Sequence, residues 1–135
     1  AHPRTQNRIK LLNYKINHRL IRVIQPLSFT DYISLQKACF CMVSDSGTAT
    51  EEASMLGVPT VTPRASHERP EGFDAGVLVM SGLDSASLIA GVRCVTSVNF
   101  EQGTVFEYNQ KNVSSKILKI VTSYVSYVDR NVWQK

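Results

Sequence analysis

Residues 40–53 of the chain read FCMVSDSGTATEEA. The first four of these residues form a short apolar run, and the polar residues behind it contain one glycine and then a run that favours a helix. We expect a strand over 40–43, a turn at Gly47 and a helix over 49–56 that ends at Gly57. Backbone N–H groups in the first turn of a helix lack an intrahelical partner, and the helix dipole adds partial positive charge. The junction therefore predicts an anion site, where Gly47 lets the backbone turn and approach a ligand.

Strands and helices alternate on both sides of this junction. We expect strands over 20–24, 58–61 and 77–80, and helices over 4–14, from a cap at Thr30 or Asp31 to about Cys39, from a cap at Asp84, and over 112–134. The face of the helix after Asp84 would consist of Leu88, Ile89, Val92 and Val95. This alternation predicts an α/β fold with a parallel sheet. Ligands collect at the carboxyl ends of such strands, where Ser46 and Arg69 would fall.

The overall composition predicts one domain with a single core over residues 1–135. The apolar fraction of 43% is ordinary for a globular chain, and no apolar run approaches the roughly 20 residues of a membrane span. The net charge of +4 is modest and the basic residues near the beginning have few aromatic neighbours, so we expect neither a nucleic acid nor a membrane as partner. The chain begins with neither an initiator methionine nor a charged-then-apolar leader, and it has no membrane-spanning run, so we expect a soluble piece of a cytoplasmic protein.

Cysteines and histidines do not form a pattern that predicts a metal or a disulfide. Cys39, Cys41 and Cys94 are odd in number and lie in apolar runs, so we expect reduced core residues. The three histidines are scattered, and His18 and His67 are expected to face solvent.

Four short motifs in fixed order carry a resemblance to a known family. They are DSG at 45–47, EEA at 51–53, LGVP at 56–59 and ERPE at 68–71. Together they resemble the signature of the non-hydrolysing UDP-N-acetylglucosamine 2-epimerases. Tyr108 and the run 112–133 further resemble the branch that makes UDP-N-acetyl-L-fucosamine for bacterial surface polysaccharides.

The resemblance implies a glycosyltransferase-B architecture of two Rossmann-like halves, with the nucleotide sugar in the cleft between them. This chain resembles the C-terminal half, a partial nucleotide-sugar-binding domain with a short parallel sheet. The expected partners are UDP-N-acetylglucosamine or a related UDP-sugar, the missing N-terminal domain and, when the protein is intact, a second copy. No cofactor is implied. The family eliminates UDP across C1 and C2 of the sugar and adds it back with the C2 proton on the other face.

The resemblance also implies roles for six residues. The diphosphate would be held by Ser46, Gly47 and Thr48, the ribose hydroxyls by Glu52, the diphosphate or the sugar by Arg69, and the uracil would lie near Tyr32. Two residues depart from the family pattern, since Thr48 replaces a second glycine and Leu27, also near the uracil, replaces a polar residue of some members. His2 matches a histidine that touches a second UDP-N-acetylglucosamine in some members. The family's catalytic carboxylates and histidine lie upstream, so we expect no catalytic residue and no activity in this piece alone.

Simpler interpretations of the same residues stay open at this point. Thr48 and Glu51 have the spacing of a capping box, which is our preferred interpretation of Glu51. Glu52 alone is typical of a solvated helix face, and Arg69 between Glu68 and Glu71 is also compatible with surface ion pairs. For the whole protein, the alternatives are a UDP-sugar-dependent glycosyltransferase of the same architecture and a non-catalytic nucleotide-sugar-binding domain.

Overall fold

The computed structural model describes residues 3–97 and 101–135. Within it the chain divides into two compact units, the first ending at Cys39 and the second beginning at Phe40. The single nucleotide-sugar-binding domain expected over residues 1–135 stays a prediction.

The first unit contains two helices, α1 over Pro3–Leu11 and α2 over Phe29–Ala38. The cap of helix α2 is Ser28, two to three residues before the predicted caps: the Ser28 hydroxyl accepts from the Asp31 N–H at 3.2 Å. The predicted strand over 20–24 is wrong. Among the described residues no strand pairs with this segment, so its backbone lacks the hydrogen bonds of a sheet. Its apolar side chains are exposed and do not contribute to a core.

The second unit is built on a three-stranded sheet of β1 (Met42–Val43), β2 (Thr60–Thr62) and β3 (Val79–Met80). All neighbours are parallel, in the order β1-β2-β3, and Val61 is opposite both Val43 and Val79. The predicted α/β class with a short parallel sheet is confirmed. The paired part of each strand is shorter than the apolar run that predicts it. Val58 and Val77, for example, are buried but lie before the first paired residues of β2 and β3.

Helices α3 (Ala49–Leu56), α4 (Pro70–Asp74) and α5 (Ser85–Val95) connect or follow the strands. Helix α3 has the predicted bounds and ends at Gly57, whose φ of 65° is left-handed. The cap at Asp84 is also confirmed, because its carboxylate accepts from the Ser87 N–H at 2.8 Å. Helix α4 lies at the end of the predicted charged loop, with Pro70 in its first turn.

The core of the second unit lies between the sheet and helices α3 and α5. Its most deeply buried large side chains are Val61, Val77 and Val95. Ile89 was expected on the buried face of α5 but is 53% exposed, so that part of the prediction is wrong. The expected core placement of the cysteines is wrong as well, since Cys94 is exposed while Cys39 and Cys41 are only half-buried; all three are free thiols. An apolar neighbourhood in the sequence does not decide which side of a short element faces the core.

Helix α6 (Val113–Asn131) is the longest helix, as predicted, and follows a 3₁₀ turn over Phe106–Asn109. It has apolar residues at helical spacing, yet none of its side chains is buried. Over the described ranges, no helix has the length and hydropathy needed to cross a bilayer.

The segment that leads from Gln102 to Val105 closes the core over α3 and the start of β3. Gln102 Nε2 donates to the Val77 carbonyl at 2.6 Å, and the Val105 N–H donates to Ser54 Oγ at 2.8 Å. Between them Gly103 approaches residues 75 and 76 so closely that a Cβ there would overlap the Ala75 carbonyl. Only a glycine fits this crossing.

The substitution Gly103→Ala should therefore lower the free energy of unfolding by about 1–3 kcal/mol, the usual cost of inserting a group into a packed site. Urea unfolding measures the change. Gly47→Ala is the matched control, because a Cβ at residue 47 would meet only Arg69 Nη1, at an ordinary 3.6 Å. Equal stability of the two variants would contradict this packing.

Candidate functional site

A narrow cleft lies at the carboxyl ends of β1 and β2, beside the first turn of α3. Ser46 and Gly47 contribute one wall, Thr62 at the end of β2 lines the cleft, and Arg64 and Arg69 come from the loop before α4. Its cavity volume is about 10 Å³, on the scale of one water molecule. The parallel strands thus bring the glycine turn and the charged loop to one edge of the sheet, as expected.

The turn before α3 presents backbone donors. Within residues 3–97 and 101–135, the N–H groups of Gly47 and Thr48 make no hydrogen bond, whereas the Ala49 N–H is bonded to the Ser46 carbonyl at 3.2 Å. Gly47 was expected both to let the backbone turn and to let it approach a ligand; because its φ is not left-handed, the turn itself does not require glycine. Its lack of a side chain instead keeps open the space beside Arg69 Nη1.

Three of the predicted site residues form a chain of hydrogen bonds. Thr48 Oγ1 donates to Glu52 Oε1 at 2.8 Å, and Ser46 Oγ lies 3.1 Å from Thr48 Oγ1. Because the Thr48 proton points to a carboxylate, the Ser46 hydroxyl is the donor in the second bond. The chain fixes the side chains of the turn in one arrangement.

The capping box expected from Thr48 and Glu51 is wrong. Thr48 makes no side-chain bond to a backbone N–H of α3, and Glu51 reaches away from its own helix to Arg69. A carboxylate in the first turn of a helix can pair either with a backbone N–H of that turn or with a cation from elsewhere in the chain. Glu51 pairs with Arg69, which is 18 residues away in the sequence.

Arg69 lies close to two carboxylates, of which only one forms a hydrogen bond with it. Its Nε donates to Glu51 Oε1 at 2.5 Å, whereas Nη1 is 3.8 Å from Glu68 Oε2, too far for a hydrogen bond. The hydrogen bond and charge of Glu51 raise the pKa of Arg69 above its ordinary value, so the guanidinium stays charged. Arg69 does pair with carboxylates, as the simpler interpretation held, but its principal partner belongs to α3 rather than to its own loop.

The same loop supplies a second cation that the sequence interpretation did not single out. Arg64 lines the cleft and its Nη2 donates to Glu68 Oε1 at 3.2 Å. Its position directly after the buried strand β2 and Pro63 is the signal that could have identified it. His67 is exposed, as expected, and its ring lies against Phe73 with the centroids 4.7 Å apart.

Tyr108 joins the segment before α6 to the start of α4. Its hydroxyl donates to Glu71 Oε1 at 2.6 Å. This hydrogen bond lowers the pKa of Glu71, while burial and then the same bond raise the pKa of Tyr108. Of the carboxylates that pair with the Arg69 guanidinium, Glu51 is the nearest, at 2.5 Å against 3.8 Å for Glu68.

Two other predicted ligand contacts cannot be joined to this cleft. Tyr32 and Leu27 belong to the first unit, and the roles expected for them near uracil stay predictions. His2 lies outside the described residues.

Comparison with known proteins gives one consistent family. The family model described as UDP-N-acetylglucosamine 2-epimerase matches residues 1–122. The UDP-N-acetylglucosamine 2-epimerase of Methanocaldococcus jannaschii is 30% identical over 124 residues, which are 90% of this chain and 33% of that protein. The enzyme of the same name from Methanococcus maripaludis is 35% identical over 91 residues, 65% of this chain and 25% of that protein.

Solved structures agree in fold as well as in sequence. A UDP-N-acetylglucosamine 2-epimerase from Rickettsia bellii superposes with a TM-score of 0.75 at 46% identity, covering 99% of this chain and 38% of that one. The M. jannaschii enzyme, solved in complex with UDP-N-acetylglucosamine and UDP, gives a TM-score of 0.77 at 29% identity, with 90% and 34% covered.

The chain thus spans between 25% and 38% of the length of these relatives. The Rossmann-like α/β fold of the glycosyltransferase-B type, expected from the resemblance, is confirmed by the parallel sheet and by these structural neighbours. With the family model matching most of its residues, the chain belongs to the UDP-N-acetylglucosamine 2-epimerase family.

Proposed function

We propose that this chain is the UDP-binding part of a UDP-N-acetylglucosamine 2-epimerase-like isomerase, and that the cleft beside Gly47 and Arg69 binds the diphosphate. The observation that carries the proposal is the pair of unbonded N–H groups at Gly47 and Thr48, which lie at the start of a helix and beside a guanidinium. Family membership supports a UDP-sugar as the anion.

Each group of the turn has a specific task with a diphosphate. The N–H groups of Gly47 and Thr48 donate to phosphate oxygens, and the Ser46 hydroxyl can do the same once it rotates away from Thr48. Arg69 adds a charged donor with a geometry suited to phosphate. Because the cavity itself holds about one water, the diphosphate binds at its mouth rather than within it.

The remaining site residues would bind the nucleoside. The carboxylate of Glu52, already oriented by Thr48, accepts from the ribose hydroxyls. Tyr32 lies near the uracil in the proposed complex. These two roles come from the family resemblance.

The reaction we propose breaks the bond between C1 of the sugar and the diphosphate oxygen while the C2 proton leaves, giving a glycal and UDP. Re-addition reforms the bond and returns a proton to the other face of C2. The C2 hydrogen is a weak acid, so the barrier falls when fixed donors stabilise the charge on the departing diphosphate. The turn and Arg69 supply those donors, whereas the proton-transferring groups belong to the part of the family enzymes that this chain does not span.

The biological setting in this proposal is the cytoplasmic synthesis of bacterial surface polysaccharide precursors, by a homodimer of the intact protein. By itself the piece described here binds UDP and is inactive. The narrower assignment to the N-acetyl-L-fucosamine branch stays an expectation.

UDP added to this chain should shift the amide resonances of residues 46–52, because its phosphates bind the N–H groups of the turn. A ¹⁵N-edited NMR titration measures this. Shifts confined to other parts of the chain, with the turn unaffected, would contradict the diphosphate site.

In the intact protein, Arg69→Ala should weaken UDP binding at least about tenfold, the usual effect of losing a charged hydrogen bond. Isothermal titration calorimetry measures the affinity. Arg93→Ala is the control, since it removes an equal charge from an exposed position in the last turn of α5. An unchanged affinity for the Arg69 variant would reject its phosphate contact.

The intact protein, incubated with UDP-N-acetylglucosamine and no acceptor, should exchange the C2 proton with solvent deuterium and form the C2 epimer, because elimination and re-addition pass through a glycal. Proton NMR of the sugar detects both events. Product that forms only when an acceptor is added would instead identify a glycosyltransferase, and UDP-sugar binding with no conversion would identify a binding domain.

A further inference from the structure

Glu51 connects the first turn of α3 to the arginine at the start of α4. Its Oε1 accepts from Arg69 Nε at 2.5 Å, and the two side chains are only 26% and 31% exposed. The contact is made possible by close packing of the two helices, because a Cβ at Gly72 in α4 would collide with the methyl group of Thr50 in α3. The pair therefore sits at a fixed helix contact rather than on mobile surface chains.

The choice of Nε leaves the end of the guanidinium available. Within the described part of the chain, Nη1 and Nη2 of Arg69 make no hydrogen bond, since Glu68 Oε2 lies 3.8 Å from Nη1. Nη1 is also 3.6 Å from the place where a Cβ of Gly47 would stand. The two terminal nitrogens can bind a phosphate as a pair while Nε remains bonded to Glu51.

The second oxygen of Glu51 shows that the pair is not optimised for stability. Oε2 is buried and has no hydrogen-bond partner among the described residues. A buried carboxylate oxygen without a donor is unfavourable, and a carboxylate next to an anion site also repels the ligand. A residue with these two costs is better explained by what it does to Arg69 than by its own contribution to folding.

We infer that Glu51 is a positioning residue: by holding Nε of Arg69, it directs Nη1 and Nη2 to the Gly47 turn, where the diphosphate of a UDP-sugar binds. This inference rests on the proposed function. It assigns Glu51, which belongs to the EEA motif, a task distinct from that of its neighbour Glu52. Glu52 is instead hydrogen-bonded to Thr48.

The test is a double-mutant cycle on UDP affinity in the intact protein, measured by calorimetry for Glu51→Ala, Arg69→Ala and the double variant. We expect Glu51→Ala to weaken UDP binding about tenfold in the presence of Arg69, since the guanidinium loses its orientation. In the Arg69→Ala background, the same substitution should have no such effect. A purely structural role for Glu51 would weaken binding equally in both backgrounds.

Two further variants separate orientation from charge. Glu51→Gln keeps an oxygen that can accept from Nε, so UDP affinity should return to within about threefold of the wild type. Glu107→Ala is the matched control, because it removes an exposed carboxylate that does not line the cleft. Its effect should be below about twofold, as for an exposed charge.

The outcomes distinguish this inference from the proposed function. If Arg69→Ala leaves UDP affinity unchanged, the diphosphate assignment fails and the positioning role fails with it. If Arg69→Ala weakens binding but Glu51→Ala does not, or if Glu51→Gln weakens UDP binding as much as Glu51→Ala, only the positioning role is overturned.

Discussion

The parallel pairing of β1 with β2 is the constraint on which the rest of the second unit depends. Two strands that run the same way end at the same edge, so the segments that follow Val43 and Thr62 must begin side by side. One of them is the glycine turn into α3 and the other is the arginine-containing loop. Residues some 20 positions apart in the sequence are therefore brought together by the sheet. They need no direct contact with each other to become neighbours.

Helix packing then refines what the sheet brings together. Because Gly72 has no side chain, α4 can approach Thr50 of α3 closely. The Tyr108 hydroxyl donates a hydrogen bond to Glu71 in the same helix. These contacts leave Arg69 with Glu51 as its hydrogen-bond partner before a ligand arrives. A side chain that is already ordered loses less conformational entropy on binding, which favours affinity. The cleft therefore presents charged donors and hydroxyl groups in a largely fixed geometry.

The sequence predicted the local elements better than their partnerships. Apolar spacing and the caps at Gly57 and Asp84 placed α3, α5 and α6 because such signals act within a few residues. The predicted strand over 20–24 failed because strand formation requires a neighbour that local pattern cannot supply. Which residue pairs with Arg69 is a question of the same kind. A capping box between Thr48 and Glu51 was plausible from spacing alone, and only the position of the distant loop shows that Glu51 faces outward from its helix.

The candidate site was recovered in part for similar reasons. The motif order predicted Ser46, Gly47, Thr48, Glu52 and Arg69 as ligand contacts, and the structure brings these five residues together around one turn and its adjoining loop. Glu51 and Arg64 were missed as site residues, because their relevance arises from what they contact rather than from their residue type. Of the two expected reasons for glycine at position 47, the backbone angles leave the free space for a ligand and remove the conformational one.

Helix α6 differs from the other α-helices of the second unit, α3, α4 and α5, each of which has at least one buried residue. None of its side chains is buried, so its packing adds little to the cooperative stability of the sheet and its covering helices. In this chain by itself, the amide hydrogens of α6 should exchange with solvent through local fraying of the helix. Those of β2 should exchange only when the whole unit unfolds. The polypeptide is thus divided into a slowly exchanging nucleus around Val61 and a terminal segment that unravels on its own timescale.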